Sequence, residues 1–236
     1  SGLVVAPTGF GKTFSVFLPV VNDFLNHPEK VRTSRDLSKL QLLWVTPLRS
    51  LSKDIAKAMQ TSIDEIGLDW TVGVRNGDIS ASEKQKQTKN MPEILVVTPE
   101  SLHLLLAQKS KTKFFENLQC VAVDEWHELL SSKRGVMVEL ALSHLRSISK
   151  NLKIWGLTAT IGNLEEALDV LVPYETPKKI VLAKEKKKIE ILSVLPDELE
   201  LLPWAGHMGS KMTEKILPII DQSKTTRIFT NTRNQA

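Results

Sequence analysis

The chain has little of what would mark a secreted scaffold, a membrane protein or a base-reading surface. It carries one cysteine, Cys120, which excludes an internal disulfide framework and any multi-cysteine zinc site. That residue opens the apolar stretch Cys120-Val121-Ala122-Val123, the setting of a buried core thiol and not of a nucleophile. No apolar run approaches the ~20 residues of a membrane-spanning helix, and no charged-then-apolar signal segment stands at the start. The expectation is a soluble, cytoplasmic protein without a membrane partner. Aromatic residues make up only 6% of the chain, so stacking platforms for bases are few, and a nucleic-acid partner would be tracked along its backbone. Internal repeats and low-complexity tracts are absent as well.

What is present is ordinary enzyme composition: 236 residues, 42% hydrophobic and 25% charged, enough to bury one full core and part of a second. The net charge of +4 and isoelectric point near 9.1 permit a polyanionic partner without requiring one. Short apolar segments alternate with helical patterns, which predicts an α/β fold with a parallel sheet flanked by helices. Strands are expected at Gly2 to Val5, Leu40 to Val45, Trp70 to Val74, Ile94 to Val97, Cys120 to Val123, Lys153 to Leu157 and Lys179 to Leu182. Ser80 with Glu83, and Asn163 with Glu166, have the spacing of helix-opening capping boxes. The charge run Lys184 to Lys188 interrupts the pattern and reads as a solvated linker, or else as a phosphate-contacting patch. After it a strand is expected from Ile189 to Leu195, a helix from about Lys211 to Asp221, and another strand from Arg227 to Thr230.

The octet Ala6-Pro7-Thr8-Gly9-Phe10-Gly11-Lys12-Thr13 joins the first strand to a helix whose apolar residues Phe14, Phe17, Leu18 and Val21 recur at spacings of three and four. Gly9 and Gly11 lack the Cβ that would hold the backbone off a ligand, so amide N–H groups can converge on an anion at the helix N-terminus, where the macrodipole also favours negative charge. Lys12 adds a mobile positive charge, and Thr13 a hydroxyl suited to a hard cation. Together they fit a nucleoside triphosphate with Mg²⁺. The plainer alternative is a glycine turn with a solvated lysine; Ala6, where a first glycine is usual, and the bulky Phe10 depart from the common pattern without removing an amide.

In an open parallel sheet the ligand lies beyond the carboxyl ends of the strands. Val123 is followed there by Asp124-Glu125-Trp126-His127. Asp124 is suited to hold Mg²⁺ through its water shell, and Glu125 to orient and deprotonate the water that attacks the γ-phosphate; a helix cap is the plainer reading of such a pair taken alone. The same edge carries Thr46-Pro47-Leu48-Arg49, Arg75-Asn76-Gly77-Asp78, Thr98-Pro99-Glu100-Ser101 and Thr158-Ala159-Thr160. Each has a routine capping explanation; as a set they form a row of hydroxyls, helix starts and an arginine able to grip a sugar–phosphate backbone.

APTGFGKT, TPLRSL, TPESL, DEWHE, LTAT and FTNTR, in this order, resemble motifs I, Ia, Ib, II, III and IV of the superfamily 2 DExH helicases. VDEWHELLSSKRGV, TATIGN, LPWAGHMG and IFTNTRNQA resemble more narrowly the Lhr (large helicase-related) group, especially its DNA-ligase-associated members. The resemblance implies a RecA-like P-loop NTPase fold: lobe 1 over residues 1–183, a linker at 184–188 and the start of a second RecA-like lobe over 189–236. It implies that Thr8, Gly9, Gly11, Lys12 and Thr13 bind ATP, that Thr13 and Asp124 hold Mg²⁺, and that Glu125 is the catalytic base. His127 would pair with Thr158 and Thr160 to couple hydrolysis to lobe movement. Arg49, Gly77, Asp78 and Thr98 would face one nucleic-acid strand, and Asn231 to Arg233 would begin the second lobe's share of the cleft. The implied activity is an ATP-dependent helicase or translocase on single-stranded DNA in repair, with an RNA helicase or a nucleotide-dependent switch as alternatives; association with a DNA ligase or nuclease follows by family analogy alone. Motifs V and VI do not occur in the chain, so this stretch by itself is expected to bind Mg-nucleotide weakly and to hydrolyse it barely.

Overall fold

The computed structural model describes residues 1–27, 39–159, 161–184, 190–194 and 213–229. The chain divides into two units, Ser1–Lys186 and Lys187–Ala236. In the first, the apolar tetrads at Gly2–Val5, Leu42–Val45, Ile94–Val97 and Cys120–Val123 become strands buried along their whole length, as parallel strands covered by helices on both faces are, while the edge strands Val72–Arg75 and Lys179–Leu182 are only partly covered. The elements run β1 (Gly2–Val5), α1 (Lys12–Asn26), β2 (Leu42–Val45), α2 (Arg49–Ile66), β3 (Val72–Arg75), α3 (Ala81–Lys89), β4 (Ile94–Val97), α4 (Pro99–Leu106), a 3-10 helix (Lys109–Phe115), β5 (Cys120–Val123), α5 (Trp126–Leu129), α6 (Lys133–Ile148), β6 (Lys153–Thr158), α7 (Leu164–Leu171) and β7 (Lys179–Leu182). They form one seven-stranded sheet in the order β3-β4-β2-β5-β6-β1-β7, with every neighbouring pair parallel.

Side-chain alternation along the strands builds two cores. Leu43, Val45, Leu95, Val97, Val121 and Val123 pack against α4, α6 and α7; Leu42, Trp44, Ile94, Val96, Cys120 and Ala122 pack against α1 and α2. Cys120 is buried, as its apolar setting predicts. The N-cap half of each expected capping box forms: Ser80 Oγ accepts from the Glu83 N–H at 3.1 Å, and Asn163 Oδ1 from the Glu166 N–H at 3.2 Å.

Several expectations shift, and the second strand starts at Leu42 and not at Leu40. The third strand starts at Val72 and not at Trp70, because Trp70 leaves the ladder to pack on Phe24, ring centroids 4.6 Å apart. In the second unit, residues 190–194 and 227–229 form no strand, so the strands expected from Ile189 and from Arg227 are not formed at those residues. Their apolar side chains, Ile191 and Phe229 among them, are largely exposed; a β-favouring composition without a neighbour to pair with does not make a ladder. The helix expected there does form, as α8 (Thr213–Asp221). The segments LPWAGHMG, Glu185 to Lys188, Thr160 and Asn231 to Arg233 lie outside the described residues.

Candidate nucleotide and nucleic-acid site

The site is assembled where β5, β6 and β1, adjacent in the sheet, reach their carboxyl ends. Val5 pairs with Thr158, and the Ala6 N–H donates to the Thr158 carbonyl at 3.1 Å, so the octet leaves β1 beside the Thr158 segment. Gly9 and Gly11 adopt φ of 86° and 70°, conformations that a side chain disfavours. A Cβ built on Gly11 would meet nothing within 4 Å, so glycine is required there by backbone angle and not by space. Lys12 is buried, its Nζ donating to the Ala6 carbonyl oxygen at 2.9 Å. The ammonium is thus folded back onto the strand end that opens the loop.

Asp124 and Glu125 follow β5 directly. Asp124 is 7% exposed, and its carboxyl pKa is pushed up to about 6, first by burial and then by the neighbouring Glu125 carboxylate. The Glu125 N–H, which donates to Asp124 Oδ1 at 2.9 Å, opposes that rise, as do Trp44 and the Lys12 charge. The Trp44 indole N–H is buried outside hydrogen-bond geometry with any acceptor, yet it favours the ionised Asp124. Glu125 has φ 47° and ψ 47°, a left-handed conformation that costs a non-glycine residue of order 1 kcal/mol and is typical of functional turns. It aims the Glu125 carboxylate back toward His127, with Oε2 3.5 Å from Nδ1.

His127 joins β5 to β6. Its Nδ1 lies 3.1 Å from the Thr158 hydroxyl and accepts from the Ala159 N–H at 3.4 Å. Its Nε2 lies 3.6 Å from Glu128 Oε1. Trp126 between them is fully buried, its Nε1 donating to the Ala167 carbonyl at 2.9 Å; it is a packing residue that anchors the turn.

No group of three or more His, Cys, Asp or Glu able to cage a metal occurs among the described residues. The donor set available, one buried carboxylate with a threonine hydroxyl across the turn, fits Mg²⁺ carried in with phosphates and water, since that ion keeps much of its water shell and needs few protein ligands. The Asp124 carboxylate, costly to ionise alone, is the group that a dication would favour.

Of the residues expected to face a nucleic-acid strand, the structure brings Arg49, Gly77 and Asp78 together. Arg49 Nη1 lies 3.6 Å from Asp78 Oδ1, and a Cβ on Gly77 would come within 3.0 Å of the Arg49 guanidinium. Thr98 stands on the same edge, capping α4, but is buried, with its hydroxyl donating to Ser101 Oγ at 3.2 Å. Sequence reasoning missed Trp44, whose neighbourhood with Asp124 arises from the β2–β5 pairing, and Arg134, which bonds to Glu100 at the start of α4. An apolar cavity of about 400 Å³ lies under α1, lined by Phe24, Trp70, Cys120 and Trp155 among others.

A RecA-like sheet carrying a Lys-Thr phosphate loop, an Asp-Glu pair and a histidine bridge on three adjacent strand ends defines a P-loop nucleotide site. Residues 1–167 match the DEAD/DEAH box helicase family, and the chain belongs to that family. It is 34% identical over 243 residues to the ATP-dependent helicase Lhr-Core of Methanocaldococcus jannaschii, an alignment that covers 98% of this chain and 28% of that protein. It is 28% identical to the Lhr helicase/uracil glycosylase of Escherichia coli, covering 99% of this chain and 17% of that one. Among solved structures it is similar to the Mycobacterium smegmatis helicase Lhr bound to single-stranded DNA and AMP-PNP, with a TM-score of 0.77, 27% identity, and coverage of 99% of this chain and 30% of the other. The chain therefore spans less than a third of the length of these relatives.

Proposed function

We propose that this chain is the ATP-binding part of an ATP-dependent helicase or translocase that moves on single-stranded DNA. The observation that carries the reading is the convergence, on three adjacent strand ends, of the phosphate loop, the Asp124-Glu125 pair and the His127–Thr158 contact. In this reading Thr8, Gly9 and Gly11 shape the loop around the phosphates, and Lys12 leaves the Ala6 carbonyl to neutralise the β- and γ-phosphates. Thr13 and Asp124 would hold Mg²⁺, which when bound supplies charge neutralisation at the transferred phosphoryl group. Glu125, fixed in its left-handed turn, orients the attacking water and takes its proton. His127, linked to Thr158 and Ala159, transmits the change at the γ-phosphate to the segment that includes Thr160.

Residues 1–183 would be the first RecA-like lobe, 184–188 the linker and 189–236 the beginning of the second. Arg49 and the Gly77-Asp78 turn, with the helix start at Thr98, would track the strand backbone. DNA is favoured over RNA because the Lhr structure that resembles this chain at 27% identity is bound to single-stranded DNA. A role in DNA repair and a ligase or nuclease partner rest on the family resemblance alone, and a cytoplasmic location on the composition of the chain.

The test is binding of labelled single-stranded DNA and RNA of the same sequence to the whole protein, with Mg²⁺ and a non-hydrolysable ATP analogue. Nucleotide-dependent binding is expected, tighter for DNA and lost in Lys12→Ala. Tighter binding of RNA would move the protein to the RNA helicases, and binding indifferent to Lys12→Ala would contradict the coupled site.

A further inference from the structure

One polar tie on the strand-end edge has no part in the nucleotide chemistry. Arg134, in the first turn of α6, grips Glu100, in the first turn of α4, through two hydrogen bonds: Nε to Oε1 at 2.7 Å and Nη2 to Oε2 at 3.3 Å. Two parallel bonds from a planar guanidinium fix direction as well as distance, which a lysine cannot do. Each end of the tie is built into one of the two sites. Glu100 is two residues from the α4 cap Thr98; burial acts to raise the Glu100 carboxyl pKa, but the bond and charge of Arg134, a backbone N–H and the Thr98 hydroxyl together hold it below the usual range.

At the other end, Arg134 stands beside Gly135, which touches the turn that carries the DEWH segment. A Cβ on Gly135 would fall 2.2 Å from the Leu129 carbonyl oxygen, so α6 begins in direct backbone contact with α5. Ser132 locks the corner, donating to the Leu129 carbonyl at 2.6 Å and accepting from the Gly135 N–H at 3.1 Å. Ser131 is held at φ 59°, the second left-handed non-glycine residue among the described residues after Glu125. Four-residue α5 thus has a strained residue at each side, and its last residue, Leu129, is in contact with the start of α6 that carries Arg134.

The tie's contribution to stability is modest: the Arg134 and Glu100 side chains are 36% and 42% exposed, so solvent screens the pair even though it is bidentate. Leu102 and Leu105 of α4 and Val138 and Leu142 of α6 lie in the same buried core, and His103 Nε2 sits 2.6 Å from the Met137 carbonyl, so α4 is already held against α6. A bidentate bond that the fold does not need, spanning the helix start on the nucleic-acid edge and the corner behind the catalytic turn, calls for another role.

We infer that Arg134 is a positioning residue that couples the two sites, transmitting the placement of the α4 start, set by a bound nucleic-acid strand, through Glu100 to the α5 corner and so to Glu125. This rests on the function proposed above. Arg134 does not touch nucleotide or strand.

The experiment measures steady-state ATP hydrolysis by the whole protein with and without saturating single-stranded DNA, for wild type, Arg134→Gln, Glu100→Gln and the double variant, with thermal midpoints alongside. Basal hydrolysis and midpoint are expected to stay as in wild type, while the stimulated-to-basal ratio falls about fivefold in each single variant, within the range that coupling residues produce. The double variant is expected to be no worse than either single one. A ratio that stays at the wild-type value, losses that add in the double variant, or a fall in basal and stimulated rates together would overturn the coupling role while leaving the function intact. A wild-type protein that DNA does not stimulate would end the functional reading itself, and the inference with it.

Discussion

Replacing Asp124 by asparagine should stabilise the nucleotide-free protein while abolishing its activity, and the size of the gain can be worked out. Burial and the Glu125 carboxylate raise the Asp124 pKa from 3.8 to about 6. A folded-state pKa above the unfolded one means that the neutral acid is the form the fold favours, so this contribution is complete below pH 3.8 and is lost as pH rises through 6. A shift of roughly two pKa units corresponds to about 3 kcal/mol, and a side chain 7% exposed has little solvent to screen it. Asparagine keeps the acceptor for the Glu125 N–H and carries no charge. Asp124→Asn should therefore match wild type near pH 4 and exceed it by up to about 3 kcal/mol at pH 7.5, a rise of roughly 6–12 °C in thermal midpoint for a unit of this size. Mg-nucleotide should narrow the gap by stabilising wild type alone. Thermal unfolding at the two pH values checks the sign and the window. A variant that is less stable than wild type at pH 7.5, or an equal difference at both pH values, would refute the argument that the buried charge is a cost carried for function.

Glu125→Gln should lower turnover at least about 10²-fold, the scale of a lost general base, with nucleotide affinity retained in a titration with a fluorescent analogue. Gly11→Ala and Gly135→Ala separate two reasons for glycine. The first introduces only backbone strain, about 1–2 kcal/mol, because nothing lies within 4 Å of its Cβ; the second drives a methyl against the Leu129 carbonyl and should cost about 3 kcal/mol or more, both read in urea midpoints. Arg49→Ala should weaken DNA binding evenly across sequences and reduce the salt slope by about 1, as expected of a phosphate contact.

The alternating apolar tetrads were legible because central parallel strands are buried on both faces and need no polar alternation, and the phosphate loop because Gly9 and Gly11 occupy angles few other residues adopt. Asp124 and Glu125 were legible as types in a place, directly after a strand. Their electrostatics were not, since the burial that raises the Asp124 pKa comes from packing, and Trp44 and Lys12, which oppose the rise, arrive from elsewhere in the chain. Thr98 could be placed at a helix start, yet its burial against Ser101 depends on packing that no local pattern encodes. The Arg134–Glu100 tie joins residues 34 positions apart and left only the bare run Ser132-Lys133-Arg134-Gly135 as a signal. The strands expected at Ile189 and Arg227 show the converse: composition favours β structure there, but in residues 190–194 and 227–229 no ladder forms.

The central claim is that these strand ends hydrolyse ATP in a way that answers to a nucleic-acid strand. Steady-state hydrolysis by the whole protein, measured without nucleic acid, with single-stranded DNA and with single-stranded RNA beside a Glu125→Gln control, tests it most directly. Strong stimulation by DNA that the control abolishes is the predicted result; equal rates in all three conditions would contradict it and favour a nucleotide switch that needs no strand.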